Sequence, residues 1–285
     1  MAIRIVVAHM PPLRSVSLRF LLASAILLPI MFLRRSRLPK GREWLLLLLL
    51  ATLMMALPFS ATAWAEQWIP SGKTSLLFAT APLVTGWMET WLGKPSERKR
   101  LPPNAVVGML IALAGLIVVL YRTASIDRGE SRGVAAVLGV VVLGSASTVL
   151  SKQWLKDIPV LTLAAVETFF AGTTLGVASF VVEGDRPQAW TESSVIAMLF
   201  LGMFSSALGF LLYYWLLMRI EPYQLAARYF IMPIVALAEG AVLLHERITL
   251  TMAVGAVAVM AGMVLALRSK AKVGSDQRKP DSVRP

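Results

Sequence analysis

The sequence predicts an all-α integral membrane protein built from two inverted helical repeats. Three observations predict it. Apolar residues fill 57% of the 285 positions and charged residues only 15%, where soluble domains carry about 25% charged. The apolar residues fall in runs long enough to cross a bilayer. The second half of the chain repeats the first in order. With a mean hydropathy of +0.70, too little polar surface remains to cover a water-soluble globule. The absence of cysteine excludes disulfides, thiolate zinc sites, iron–sulfur clusters and cysteine nucleophiles. A formal charge of +12, from 28 Lys and Arg against 16 Asp and Glu, does not signal nucleic acid. The basic residues lie in short clusters between apolar runs, as membrane topology requires.

A helix rises about 1.5 Å per residue and the hydrocarbon core is about 30 Å thick, so a span needs roughly 20 residues. Nine segments meet that length: 13–33, 44–65, 70–92, 104–121, 133–155, 160–182, 193–218, 223–244 and 249–267. The first follows Pro11-Pro12 and stops at Arg34, Arg35, Arg37, Lys40 and Arg42. The second ends before Lys73, which lies at the start of the third, and the third stops before Lys94, Arg98, Lys99 and Arg100. The fourth stops at Arg122, the fifth at Lys152 and Lys156, the sixth before Arg186. The seventh, eighth and ninth end before Arg219, Arg247 and Arg268. Residues 268–285 read as a disordered cytoplasmic tail.

Alternate loops and the tail carry 18 Lys and Arg on one side and 8 on the other, with Arg19 and Arg228 inside spans. Because basic loops stay in the cytoplasm, the sequence places the C-terminus there, in a multi-pass protein of the cell (inner) membrane. Residues 1–10 would extend only about 15 Å as a helix, and no cleavage pattern follows them. They read as the tail of an incomplete first helix, which makes nine complete spans, arranged 4 + 5, of an expected ten; the alternative is a nine-span protein with its N-terminus outside.

A shift of 151 positions superposes Ala56, Leu57 and Phe59 on Ala207, Leu208 and Phe210. It also matches Trp64 with Trp215, Ile69 with Ile220, Pro82 with Pro233, Val84 with Val235 and Leu92 with Leu243. A shift of 147 pairs Val107-Gly108 with Val254-Gly255 and Ala114-Gly115 with Ala261-Gly262. The repeats are read as 1–121 and 133–267. A five-span unit followed by its copy crosses the membrane in the opposite sense, a common plan for transporters with a site between the halves.

The order of several motifs resembles the EamA-type transporters of the drug/metabolite transporter superfamily. They are Met10-Pro11-Pro12-Leu13 before Leu18-Arg19-Phe20, then Ala79-Thr80-Ala81-Pro82-Leu83, and Gly108 to Gly115. Pro233, Leu244-His245-Glu246-Arg247 and Gly255 to Gly262 follow. The resemblance implies a ten-helix permease, mostly of the kind that exports amino acids or other small metabolites. The sequence departs from it in its first helix and at Gly93-Lys94-Pro95, where a Gly-Glu turn is usual.

Ionisable residues within spans are costly, about 2.5–3.5 kcal/mol each on insertion scales, and so need a reason. Arg228 and Glu239 share a span and, eleven residues apart, nearly one face. They offer a cation for a carboxylate and a carboxylate for an amine or proton; the alternative for Arg228 is snorkelling. Arg19 has the same two readings. Glu167 fits proton coupling or a structural hydrogen bond, and Glu89 an interfacial position. Pro82 and Pro233 predict kinks, each ring clashing with the carbonyl four residues back. Trp64, Trp87 and Tyr214 are candidates for an aromatic substrate pathway, with lipid contact as the alternative. Gly108, Gly115, Gly255 and Gly262 predict close helix packing, within the chain or across a homodimer.

Other motifs fail. Ser71-Gly72-Lys73-Thr74 lacks the first glycine of a phosphate-binding loop, and His245-Glu246 lacks the second histidine of a zinc helix. No metal, cofactor or catalytic group is expected, and the protein reads as no enzyme. The expectation is a secondary-active permease working on a small-molecule substrate by alternating access, with membrane lipids and no nucleic acid as partners. The alternatives are a lipid-modifying membrane enzyme and a structural membrane subunit that transports nothing.

Overall fold

The structure, a computed structural model, describes residues 6, 9–65, 68–69, 74, 77–93, 101–119, 130–184, 186, 188–231, 235 and 250–268. All regular structure among these residues is helical. Helix α1 is Pro12–Leu33. Helix α2 runs as Arg42–Ala51, widens to a π-helical stretch at Thr52–Ala56 and continues as Leu57–Ala65. Then come α3 (Ala81–Leu92), α4 (Pro103–Val119), α5 (Ser131–Trp154) and α6 (Val160–Val182). Helix α7 repeats the pattern of α2, with Glu192–Phe200, a π stretch at Leu201–Leu208, and Gly209–Leu217. Helix α8 is Pro222–Ala226, tightening to a 3-10 turn at Ala227–Phe230, and α9 is Leu250–Arg268. Helices α1, α2, α5, α6 and α7 are each long and apolar enough to cross a membrane.

The two π stretches lie at equivalent positions, and the first has a local cause. Pro58 has no N–H to give the carbonyl four residues back, and its equivalent 151 positions on is Gly209. In both helices the residue that closes the wide turn bonds five residues back, Leu57 to Thr52 and Gly209 to Phe204. Wide turns of this kind cluster at functional sites.

At Pro82 the structure corrects the expected kink. The chain turns at Ala79–Thr80, with Thr80 N–H bonded to Leu77 O at 3.1 Å, and α3 begins afresh at Ala81. Pro82 therefore sits in the first turn, where a missing N–H costs nothing and the fixed φ favours the helix. The expected continuous span 70–92 is broken there. Pro233 lies outside the described residues.

Equivalent helices of the two halves meet each other. Gly108 lies against Gly262 and Ala266, while Gly115 lies against Gly255, Ala258 and Val259. Each contact is thus the mirror of the other under the 147-residue shift, and α4 and α9 run antiparallel. The approach is close because a Cβ on Gly108 would stand 2.6 Å from the backbone of both partners. Helices α1 and α6 cross in the same sense. Leu13 N–H bonds Glu183 at 2.8 Å, Ser17 Oγ donates to Gly172 O at 2.7 Å, and Gly172 lies on Leu21. Phe78 stacks at 5.3 Å and 17° on Tyr229, its own equivalent. Phe59 and its equivalent Phe210 both meet the ring of Phe20 edge-on, at 5.3 and 5.4 Å. Helices that pair antiparallel with their own copies make the two halves inverted repeats.

One large apolar cluster, drawn from α1, α2, α6 and α7 and including Phe20, Met55, Val166, Ala207 and Tyr214, fills the middle of this arrangement. A smaller one joins α4, α8 and α9.

Candidate functional site

The ionisable residues of the central cluster come from α1 and α6. Both helices start behind a proline with the same backbone, Pro11 at φ −56°, ψ 138° and Pro159 at φ −57°, ψ 139°. Laying one helix on the other, 148 positions apart, also matches Leu13 with Leu161, Ala23 with Ala171, Leu27 with Leu175 and Phe32 with Phe180. In that register Arg19 and Glu167 occupy the same place in the two repeats. Both are buried, and each keeps a polar atom without a hydrogen-bond partner, Arg19 Nε and Glu167 Oε1. Ser206 Oγ, in the π stretch of α7, is a third such atom. Their chain neighbours Phe20, Val166 and Ala207 all belong to the central cluster. Buried polar groups nearly always find partners, so each of these three atoms is a candidate contact for a polar group from outside the chain.

The surroundings of the two charged residues differ. The Tyr214 hydroxyl donates to Glu167 Oε2, and Met54 Sδ lies 3.8 Å from the same hydroxyl. The ring of Tyr214 meets Tyr213 edge-on at 5.2 Å, and Tyr213 shares a hydrogen bond of 3.1 Å with Thr148. Arg228 sits 4.7 Å from the rings of both Tyr213 and Tyr229, and donates to Leu225 O and the Tyr229 hydroxyl. A continuous series Glu167–Tyr214–Tyr213–Arg228–Tyr229–Phe78 thus leads from the central cluster to the stacked pair at the repeat axis. Arg19, by contrast, faces only rings, with Cζ 5.1 Å from Phe20 and 5.2 Å from Phe59.

The structure brings together Glu167, Tyr214 and Arg228 through this series and leaves Arg19 outside it, against Phe20 and Phe59. It leaves Trp64 and Trp87 at the surface, 43% and 52% exposed, each against a neighbouring tryptophan, Trp68 and Trp91. Glu239 lies outside the described residues. Glu89 accepts from the Tyr223 N–H at 2.9 Å, placing a carboxylate at the positive end of α8. Sequence reasoning passed over Glu183, which does the same for α1 by accepting from Leu13 and Arg14 N–H groups at 2.8 and 3.0 Å. It also passed over Phe20, Phe59, Phe210, Met54, Thr148 and Ser206. The Phe59–Phe210 match pointed to two of them, and the 148-residue register would have singled out Arg19 and Glu167 together.

Comparison with known proteins agrees with this architecture. The sequence pattern of the EamA-like transporter family matches residues 1–121 and again 131–268. The chain is 26% identical over 266 residues to the uncharacterized transporter YoaV of Bacillus subtilis, covering 93% of this chain and 90% of that one. It is 29% identical over 242 residues to the uncharacterized inner membrane transporter YedA of Escherichia coli, covering 84% and 76%. It is 24% identical over 241 residues to protein PagO of Salmonella typhimurium, covering 84% and 78%. A solved crystal structure shares the fold at a TM-score of 0.74 with 17% identity, over 90% of this chain and 88% of that one. A family pattern found twice in tandem accounts for paired helices that meet their own copies. The chain is a multi-pass membrane protein and belongs to the EamA-like transporter family.

Proposed function

We propose that the protein is a secondary-active permease of the inner membrane, with its C-terminus in the cytoplasm, that exports a small metabolite such as an amino acid. Transport proceeds by alternating access, as the two inverted halves rock about the site between them. One observation carries this reading. Repeat-equivalent helices meet antiparallel around a cluster that holds three buried polar atoms without partners, the kind of place where a solute or proton supplies the missing interaction. The small-molecule substrate and the surrounding lipid are the partners this reading requires, and no step needs a bound cofactor or ATP. A homodimer would use the outward faces of α4 and α9, which pack on each other through their glycine faces.

Reconstitution tests the proposal. Liposomes containing the purified chain and loaded with a radiolabelled mixture of the common amino acids should release part of that mixture faster than protein-free liposomes. No accelerated flux of any component would refute the proposal in this form.

A further inference from the structure

Arg19 lies seven residues past Pro12, about 10 Å along an apolar helix. It does not snorkel, because only 7% of it is exposed. A guanidinium cannot shed its charge. The charge on Arg19 must therefore be met by another group. Other basic side chains have found one: Arg228 donates to Leu225 O and Tyr229, Arg14 to Gly184 O at 2.6 Å, and Lys152 to Ile220 O and Glu221. Arg19 makes no hydrogen bond or ion pair with any described residue, and its repeat equivalent Glu167 is held by Tyr214.

The rings beside Arg19 define what is missing. Phe20 and Phe59 attract a cation but offer no acceptor for N–H groups in the guanidinium plane. That plane presents Nε together with one terminal nitrogen, a fork that fits two oxygens of a carboxylate or phosphate. Phe210 meets the ring of Phe20 at 5.4 Å, so the surroundings of Arg19 are aromatic and suit an apolar or aromatic body. Leu22, one turn beyond, packs against Gly202 in the π stretch of α7. That stretch also carries Ser206, whose hydroxyl is unpartnered.

We infer that Arg19 is the seat for the anionic group of the transported solute, an organic carboxylate or phosphate with an apolar body lodged among Phe20, Phe59 and Phe210. The inference rests on the permease reading for its role in transport, but binding tests it separately. The full chain in detergent would be titrated with phenylacetate, phenyl phosphate and neutral phenylacetamide while thermal unfolding is followed by tryptophan fluorescence. At least one of the two anions should raise the melting temperature, and which one does so identifies the group. The amide should not. Arg19→Gln should abolish the shift. Arg19→Lys keeps the charge and loses the fork, and should weaken binding about tenfold, or about 1.4 kcal/mol. Phe59→Leu should weaken it while leaving the anion preference intact, and both variants stand in if Arg19→Gln does not fold. Equal binding of acid and amide overturns the inference, as does unchanged affinity in the variants or a panel in which neither anion binds. Flux at the wild-type rate in Arg19→Gln would remove this inference and leave the permease standing. Anion binding lost in Arg19→Gln, with no flux of any solute in the wild type, would do the reverse.

Discussion

At the scale of the residue, the buried hydrogen bond between Tyr214 and Glu167 is where one atom decides most. Both side chains are fully buried, and Glu167 already carries one oxygen without a partner. Tyr214→Phe would strip the other oxygen as well, and an unsatisfied buried acceptor costs about 1–3 kcal/mol. Tyr213→Phe removes a hydroxyl shared with Thr148 in a partly exposed place and leaves no buried carboxylate oxygen unsatisfied. Reversible unfolding in mixed micelles should therefore show a clearly larger loss for Tyr214→Phe than for Tyr213→Phe. Glu167→Gln keeps an acceptor for the tyrosine and should unfold close to wild type. If Glu167 takes up and releases a proton during transport, the same variant should carry solute at a rate that no longer varies with pH. A pH profile that keeps its wild-type shape would remove Glu167 from coupling and leave it a structural role.

At the scale of the element, the glycine faces of α4 and α9 make the sharpest test. A methyl group on Gly108 would stand 2.6 Å from Ala266 N and Gly262 O, backbone atoms that move only if the helices part. Gly108→Ala should cost about 1–3 kcal/mol by overpacking. Gly139, in α5, has nothing within 4 Å of its Cβ position. Gly139→Ala should be neutral or stabilise by up to about 1 kcal/mol through helix propensity. Equal effects of the two substitutions would contradict the close packing. The five long helices were legible in the sequence, because a run of some twenty apolar residues bounded by basic loops has one economical fate in a bilayer. The glycine spacing was legible for the same reason that it matters, since seven residues bring a position back to one face. What hid was tertiary. The letters around Pro82 fit a kinked span as well as a helix start, and only the turn at Thr80 separates the two. Arg19 and Glu167 are chemical opposites, so no identity score joins them. Their equivalence rests on the shared proline entry of the two helices, Pro11 and Pro159.

At the scale of the whole molecule, the inversion of the halves is a statement about which compartment each loop faces. Lys40 lies between α1 and α2, and Gln188 lies in the equivalent connection between α6 and α7; both are exposed. The contacts fix two opposite ends of the α1–α6 pair. At one, Arg14 reaches Gln188 and Gly184 O; at the other, Arg37 reaches Asp157 O. Because the chain has no cysteine, Lys40→Cys and Gln188→Cys each create a single thiol in an otherwise unreactive background. An impermeant maleimide added to intact cells should label Gln188→Cys and spare Lys40→Cys, and inverted vesicles should give the opposite result. The basic loop around Lys40 argues for that side being cytoplasmic, so the experiment fixes orientation as well as inversion. Labelling of both thiols from one side would mean that the crossed pairs do not span the bilayer in opposed senses. The arrangement of Arg19 and Glu167 follows from the same geometry. In antiparallel helices, equivalent positions lie on opposite sides of the crossing, so Arg19 and Glu167 are offset from each other along the pair. A solute passing between the halves would then meet the two charges in sequence rather than together, and the order of that encounter reverses with the direction of transport.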